Sequence, residues 1–132
     1  MVLMDMIGFR PKDTETFQIN LGDGWEDQQI GSLALAAAKK YAPRWKPELR
    51  TRFDAKNYLY NTDGYIYDNL GYPVVFFNEP ITRFNKGDGN PHYHQSTENS
   101  AVLDYDYAND IGKAAIATAL HLANTSTAAK GP

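Results

Sequence analysis

From Val2 to Phe9 the chain is apolar except for Asp5, and Gly8 and then Arg10-Pro11 close the run, a pattern that predicts a short buried strand. Thr14 to Leu21 alternates weakly between polar and apolar side chains and runs into Gly22-Asp23-Gly24, which predicts a second strand of the same sheet ending in a turn. The period then changes. Ile30, Leu33, Ala34, Ala37 and Tyr41 share one face of a helix expected over Trp25–Tyr41, with Glu26 and Asp27 at its positive end, Lys39 and Lys40 at its negative end and Pro43 beyond its stop. Arg44–Lys56 has no clear period, and a strand around Leu49–Phe53 is the reading its residues allow. A short helix over Tyr65–Leu70 is closed by Gly71, and Pro73–Glu79 then gives the clearest strand, an apolar run with a polar edge. Phe84–Glu98 is loop by composition, and Ala108, Ile111, Ala115, Ala119 and Leu122 define the packing face of a final helix over Tyr105–Ala123.

Strands alternating with helices predict an α/β layer arrangement, in one domain over residues 1–124 with a flexible tail over 125–132. A parallel sheet takes helices on both faces, and only two long ones are available. The chain therefore reads as a partial three-layer sheet with flanking helices, one portion of a larger layer whose bare edge and faces call for a neighbour.

Composition narrows the chemistry. The 132 residues carry 13 Lys+Arg against 16 Asp+Glu, a formal charge of −3, so no global field draws the chain to nucleic acid or anionic lipid. With no cysteine, disulfide frameworks, thiolate nucleophiles, zinc fingers and iron–sulfur sites are excluded. The longest apolar stretch, Leu33–Ala38, is far below the roughly 20 residues of a bilayer crossing, so no membrane partner is expected. The apolar opening lacks a basic leader and a small-residue cleavage signal, and is expected to stay in the product. Arg44, Lys46, Arg50, Arg52 and Lys56, interleaved with Trp45 and Phe53, form the one basic stretch, but Glu48 and Asp54 interrupt it; a solvated or partner-facing edge is expected rather than a nucleic-acid grip. No phosphate-binding glycine loop and no Gly-x-Ser-x-Gly elbow is present.

Two positions carry candidate chemistry. A carboxylate inside an apolar strand costs several kcal/mol unless it is paired, so Asp5 calls for compensation, either by a cation at the strand's C-terminal end, where open α/β sheets place their sites, or by nearby backbone or a basic side chain. His92 and His94 sit in a Gly/Asn/Pro loop that lets an imidazole reach a ligand, and at i and i+2 of an extended segment they point to opposite sides, so at most one faces a site. His121 lies on the polar or boundary face of the last helix and reads as structural.

Taken in order, several segments resemble the C-terminal part of the M28 family of zinc aminopeptidases. Val2-Leu3-Met4-Asp5-Met6-Ile7-Gly8 is similar to that family's strand ending in a Leu-Asp-Met-type motif, and Gly71-Tyr72-Pro73 before Val74-Val75-Phe76-Phe77-Asn78-Glu79 resembles its Gly-Tyr-Pro strand with a closing acid. Asn90-Pro91-His92-Tyr93-His94 resembles its Asn-Pro-x-Tyr-His loop, and Asp104-Tyr105-Asp106-Tyr107-Ala108, opening a long helix, also fits. The resemblance covers essentially the whole chain. It implies that Asp5 binds one zinc of a two-zinc centre and His94 the other, that Tyr93 shapes the substrate pocket, and that His92 occupies a variable position. Thr62-Asp63-Gly64 stands where the family has Ser-Asp-His; Asp63 matches and is carried over as a substrate contact, while Thr62 and Gly64 depart.

The family's other zinc ligands, an upstream histidine, a bridging aspartate and the second member of a Glu-Glu pair, precede the Asp5 strand, as does the general base, the first glutamate of that pair. A catalytic zinc takes three protein ligands and a two-metal site takes bridging groups, so two donors imply weak or absent zinc binding and no hydrolysis by this chain alone. The complete enzyme would act on peptides, and Tyr58, Tyr60, Phe84 and Tyr93 would suit a hydrophobic N-terminal side chain such as leucine. The alternative is a noncatalytic, oligomerising scaffold that keeps the half-fold and covers its bare surfaces by self-association. A glutaminyl-cyclase-like reaction stays open, because the distinguishing residues lie upstream. Many family members are exported, and any such signal would belong to the N-terminal region, so compartment is left unassigned.

Overall fold

The computed structural model describes residues 1–81 and 89–125. Its elements in chain order are β1 (Val2–Met4), β2 (Gln18–Leu21), α1 (Trp25–Tyr41), β3 (Glu48–Arg50), a 3-10 turn (Leu59–Asn61), α2 (Gly64–Asn69), β4 (Val75–Asn78), a second 3-10 turn (Ser100–Val102) and α3 (Tyr105–Asn124). The expected α/β layer arrangement with flanking helices is what forms. The tail expected over 125–132 falls, apart from Thr125, outside the described residues, as does Phe84.

The strands lie in the order β1-β4-β2-β3. β1 runs parallel to β4 with Val2 opposite Val75, and β2 runs parallel to β3 with Ile19 opposite Leu49. The central pair, β2 with β4, is antiparallel, with Ile19 opposite Phe77 and Asn20 opposite Phe76. The sheet is therefore mixed, where the alternation of strands and helices suggested a parallel one. Both long helices pack on the face made by Phe17, Ile19, Leu21, Val75 and Phe77, meeting it with Ala34, Ala38, Ala42, Ile111, Ala114 and Ala115. Among the described residues, the opposite face carries no long helix. Leu59 packs there on Val74 and Phe76, with Leu3, Tyr58 and Tyr60 beside it, so the third layer is a turn and its neighbours.

That second face is partly polar inside. Gln18, Asn20, Asn57 and Asn78 are all buried, and most of their polar groups find partners as buried polar groups must. Asn20 donates through Nδ2 to Asn78 Oδ1 at 2.7 Å and accepts at Oδ1 from Tyr58 N–H, while Asn57 Nδ2 donates to Leu21 O at 2.9 Å.

The helix ends are as the charges and Pro43 imply, but the buried stripes are displaced. On α1 the buried positions are Asp27, Gly31, Ala34, Ala37 and Ala38, whereas Tyr41, expected on the packing face, is exposed. On α3 they are Tyr107, Asp110, Ile111, Ala114, Ala115 and Thr118, whereas Ala119 is exposed. Small residues line the stripe because the helices lie close against the sheet and each other. Asp27 was placed by sequence only as a favourable end charge. It is buried, and its carboxylate accepts from Gly24 N–H at 2.8 Å and Val74 N–H at 2.6 Å, so it fastens the first turn of α1 to the start of β4.

Gly22 leaves room for this fastening. A Cβ there would stand 2.0 Å from Asp68 Oδ1 and 2.8 Å from Asp27 Oδ1. Asp27 is held by its two amides and Asp68 by the Tyr60 hydroxyl, so neither carboxylate can retreat without losing a hydrogen bond. Gly22→Ala is expected to lose about 1–2 kcal/mol, an overpacking penalty reduced by the lower entropy of the unfolded alanine chain. A urea-unfolding midpoint equal to or above that of the parent protein would contradict it.

Candidate metal centre

β1 and β4 run parallel and so end at the same edge of the sheet, the edge where open α/β sheets form their crevices. Asp5 follows β1 directly and Glu79 follows β4 directly. The loop before the second 3-10 turn brings Tyr93, His94 and Glu98 to the same place. These five side chains, with Met6, line a single cavity of about 310 Å³.

Asp5 lies beyond the end of β1 and is exposed, not inside a buried strand as the apolar run suggested. Its Oδ1 accepts from Met6 N–H at 2.8 Å. Burial therefore puts no demand on Asp5 for a compensating cation; its candidacy rests on where it points. The strand ends early because Met6 takes a left-handed backbone, φ 52°, which turns the chain out of the sheet.

His94 also has a left-handed backbone, φ 57°, a conformation that histidine tolerates better than most non-glycine residues. Its N–H donates to Glu98 Oε2 at 3.0 Å, and its ring stacks on Tyr93 with centroids 3.8 Å apart. Glu98 also accepts from Asn90 Nδ2 at 2.8 Å, and Asn90 Oδ1 in turn accepts from His92 N–H, so Asn90 and Glu98 lace the loop together. His92 turns away to pair its Nδ1 with Thr97 Oγ1 at 2.9 Å and sets its ring edge-on to Phe9. One histidine faces the cavity, as expected, though in a turn-rich loop rather than the extended segment assumed, with Tyr93 N–H bonded to Asn90 O and Gln95 N–H to His92 O.

Glu79 and Glu98 were not singled out by sequence reasoning. Glu79 is buried at 3% exposure, its Oε2 accepts from Phe9 N–H at 2.9 Å, and its own N–H donates to Met6 O at 2.8 Å. Burial pushes its carboxyl up to about 8, against the Phe9 hydrogen bond and with the help of the negative charges of Glu98 and Asp5. The only sequence signal was its place as the acid closing the clearest strand.

The remaining candidate residues do not line the cavity. Asp63 precedes α2, is exposed and is not among the residues lining the cavity. Tyr60 is committed to α2 by its bond to Asp68 Oδ2 and lies under the Arg52 guanidinium at 3.7 Å; burial and Asp68 hold its hydroxyl well above the ordinary range. Tyr58 is half-buried on the second face, its hydroxyl raised by burial and then by Tyr93 and Asp5. The basic stretch is largely engaged: Arg44 with Asp110, Lys46 with Glu15, Arg50 with Glu48 and Asp54, and Arg52 over Tyr60.

One imidazole and three carboxyl groups suit a borderline or hard divalent cation such as zinc, and among the described residues no Lys or Arg lines the cavity. In spacing they fall short. Among the described residues no three His, Cys, Asp or Glu side chains are grouped closely enough to hold a metal ion. Nor, among them, is any helix long and apolar enough to cross a membrane.

Comparison with known proteins adds two findings. The sequence model of peptidase family M28 matches residues 1–119. Among solved structures, the Legionella pneumophila LapA aminopeptidase is similar with a TM-score of 0.64 and 20% identity, over 92% of this chain and 30% of that one. A second structure of LapA from the same organism gives 0.67 and 19% over 92% of this chain and 31% of that one. At such identity the likeness is one of fold, and the chain spans about 30% of the length of those proteins. No curated protein matches the chain.

Proposed function

The chain belongs to peptidase family M28, and we propose that it is the C-terminal portion of a zinc aminopeptidase, which removes N-terminal residues from peptides. In this reading Asp5 gives one ligand to one zinc and His94 one ligand to the other. The observation that carries it is the convergence of these two side chains, from distant parts of the chain, on one cavity at the end of the parallel strand pair. Zinc, when bound, acts as a Lewis acid and lowers the pKa of a bound water. The chain's own residues bind and orient. The Tyr93 ring, stacked on His94, keeps that imidazole from swinging. Asp63 stands away from the cavity, so a substrate contact by it would fall on a part of the peptide remote from the metals.

With Asp5 and His94 the only ones of the family's zinc ligands carried over to this chain, the isolated chain is expected to bind zinc weakly and not to hydrolyse peptides. A second reading, an oligomerising scaffold without catalysis, is favoured by the exposed apolar side chains Tyr41, Ile116 and Leu120 along the outer groove between α1 and α3.

Calorimetric zinc titration separates the two. The expected result is weak binding that falls at least about tenfold in both Asp5→Ala and His94→Ala, the lower limit of what even indirect support of a metal ligand is worth. Folded protein that binds no zinc, or binds it equally in both variants, favours the scaffold. Zinc-dependent turnover of a chromogenic leucine amide by this chain would refute its inactivity.

A further inference from the structure

The segment that carries Asp5 is held from β4 rather than by its own turn. Glu79 reaches it twice: its N–H donates to Met6 O at 2.8 Å, and its Oε2 accepts from Phe9 N–H at 2.9 Å. Both ends of the four-residue stretch Met6–Phe9 are thus tied to one residue. From the other side, Asp104 N–H at the start of α3 donates to Gly8 O at 2.8 Å, and the Leu103 side chain lies where a Cβ on Gly8 would stand, at 2.9 Å. The chain leaves the sheet through Met6 in a left-handed conformation, and Asp5 is bonded to the Met6 amide. Whatever fixes Met6 therefore fixes the Asp5 carboxylate. Phe9, at the far end, meets the His92 ring edge-on, which links the clasp to the loop bearing His94.

We infer that Glu79 is the positioning residue of this site, clasping Met6–Phe9 so that Asp5 is presented to the cavity. The inference rests on the reading of Asp5 as a metal donor. The work is done by an acceptor oxygen at the right reach, Oε2 at 2.9 Å from Phe9 N, not by a negative charge. Glutamine keeps length and acceptor and drops the charge; aspartate keeps the charge and is one methylene too short to reach Phe9.

Amide hydrogen exchange on the whole 132-residue chain tests the clasp. In E79D the Phe9 amide is expected to exchange about tenfold faster, the rate equivalent of one hydrogen bond, and in E79Q at about the parent rate, with the Phe77 and Ile19 amides as unmoved controls. Should E79D not fold, E79M, equal in length and lacking an acceptor, is expected to show the same loss. Zinc affinity should follow, falling about tenfold or more in E79D and staying near the parent value in E79Q. The reverse order would show that charge matters instead and would overturn the inference, as would two variants that both leave Phe9 unchanged or both expose it. If Phe9 behaves as expected while Asp5→Ala leaves zinc binding untouched, the clasp stands and the reading of Asp5 as a donor fails.

Discussion

Phe77→Ala is expected to remove about 3–5 kcal/mol of stability, enough to unfold a domain near the low end of the usual 5–15 kcal/mol range. Phe77 is fully buried at the centre of the helix-covered face, its ring centroid 6.5 Å from that of Phe17. It stands opposite Met4 on β1 and Ile19 on β2, so one side chain packs across three strands. Truncation leaves a cavity that the surrounding alanines of α1 and α3 cannot collapse to fill, having no side-chain length to give. Urea unfolding followed by circular dichroism reads the loss as a lower midpoint at unchanged slope. A loss below about 1 kcal/mol would mean that the helices move in to close the gap and that the packing is looser than described. If the variant stays folded in part, the same substitution should loosen the end of β4 and with it Glu79, two residues on.

Local signals account for much of this fold and stop where distant pairing begins. The bounds of α1 coincide with those read from its end charges and Pro43, because a helix terminus is set by its nearest neighbours in sequence. Its buried stripe lies about one position from the one the periodicity predicts, because which residues face the sheet depends on how closely the helix approaches; Gly31 and Ala38, poor hydrophobic markers, permit the close approach. The β4 strand was legible as an apolar run, whereas its antiparallel pairing with β2 was not, since the neighbour of a central strand is chosen by tertiary packing. At the site the same division holds. Residue type and position mark Asp5 and the His92/His94 loop, resemblance singles out His94, and Asp5 and His94 line one cavity. Glu79, Glu98 and Asn90 bind backbone or side chains at variable separations, and such acceptors leave no spacing to recognise.

Asp110 likewise leaves no spacing to recognise, and its loss is expected to cost about 2–3 kcal/mol. It is buried on the second turn of α3, where Oδ2 accepts from Arg44 Nε at 2.9 Å, Arg44 Nη2 at 2.7 Å and Trp45 Nε1 at 3.0 Å, and Oδ1 accepts from Lys113 Nζ at 3.0 Å. These bonds hold the chain leaving α1 against α3, and Trp45 continues the contact by meeting Tyr107 edge-on at 4.9 Å. In Asp110→Ala the exposed Arg44 and Lys113 regain water, but the indole N–H, half covered, does not fully recover its partner. Burial alone would raise the Asp110 carboxyl; the hydrogen bonds from Arg44, Lys113 and Trp45 outweigh it and hold the group below the usual carboxylate range. The sign follows from linkage: a carboxylate whose folded pKa is depressed adds stability above its unfolded value, near 4, and loses it as pH falls through the folded one. The gap between parent and Asp110→Asn in urea midpoint should therefore be full at pH 7 and narrow steadily below about pH 4. A gap that is the same at pH 7 and pH 3 would assign the effect to shape rather than to the ionised carboxylate.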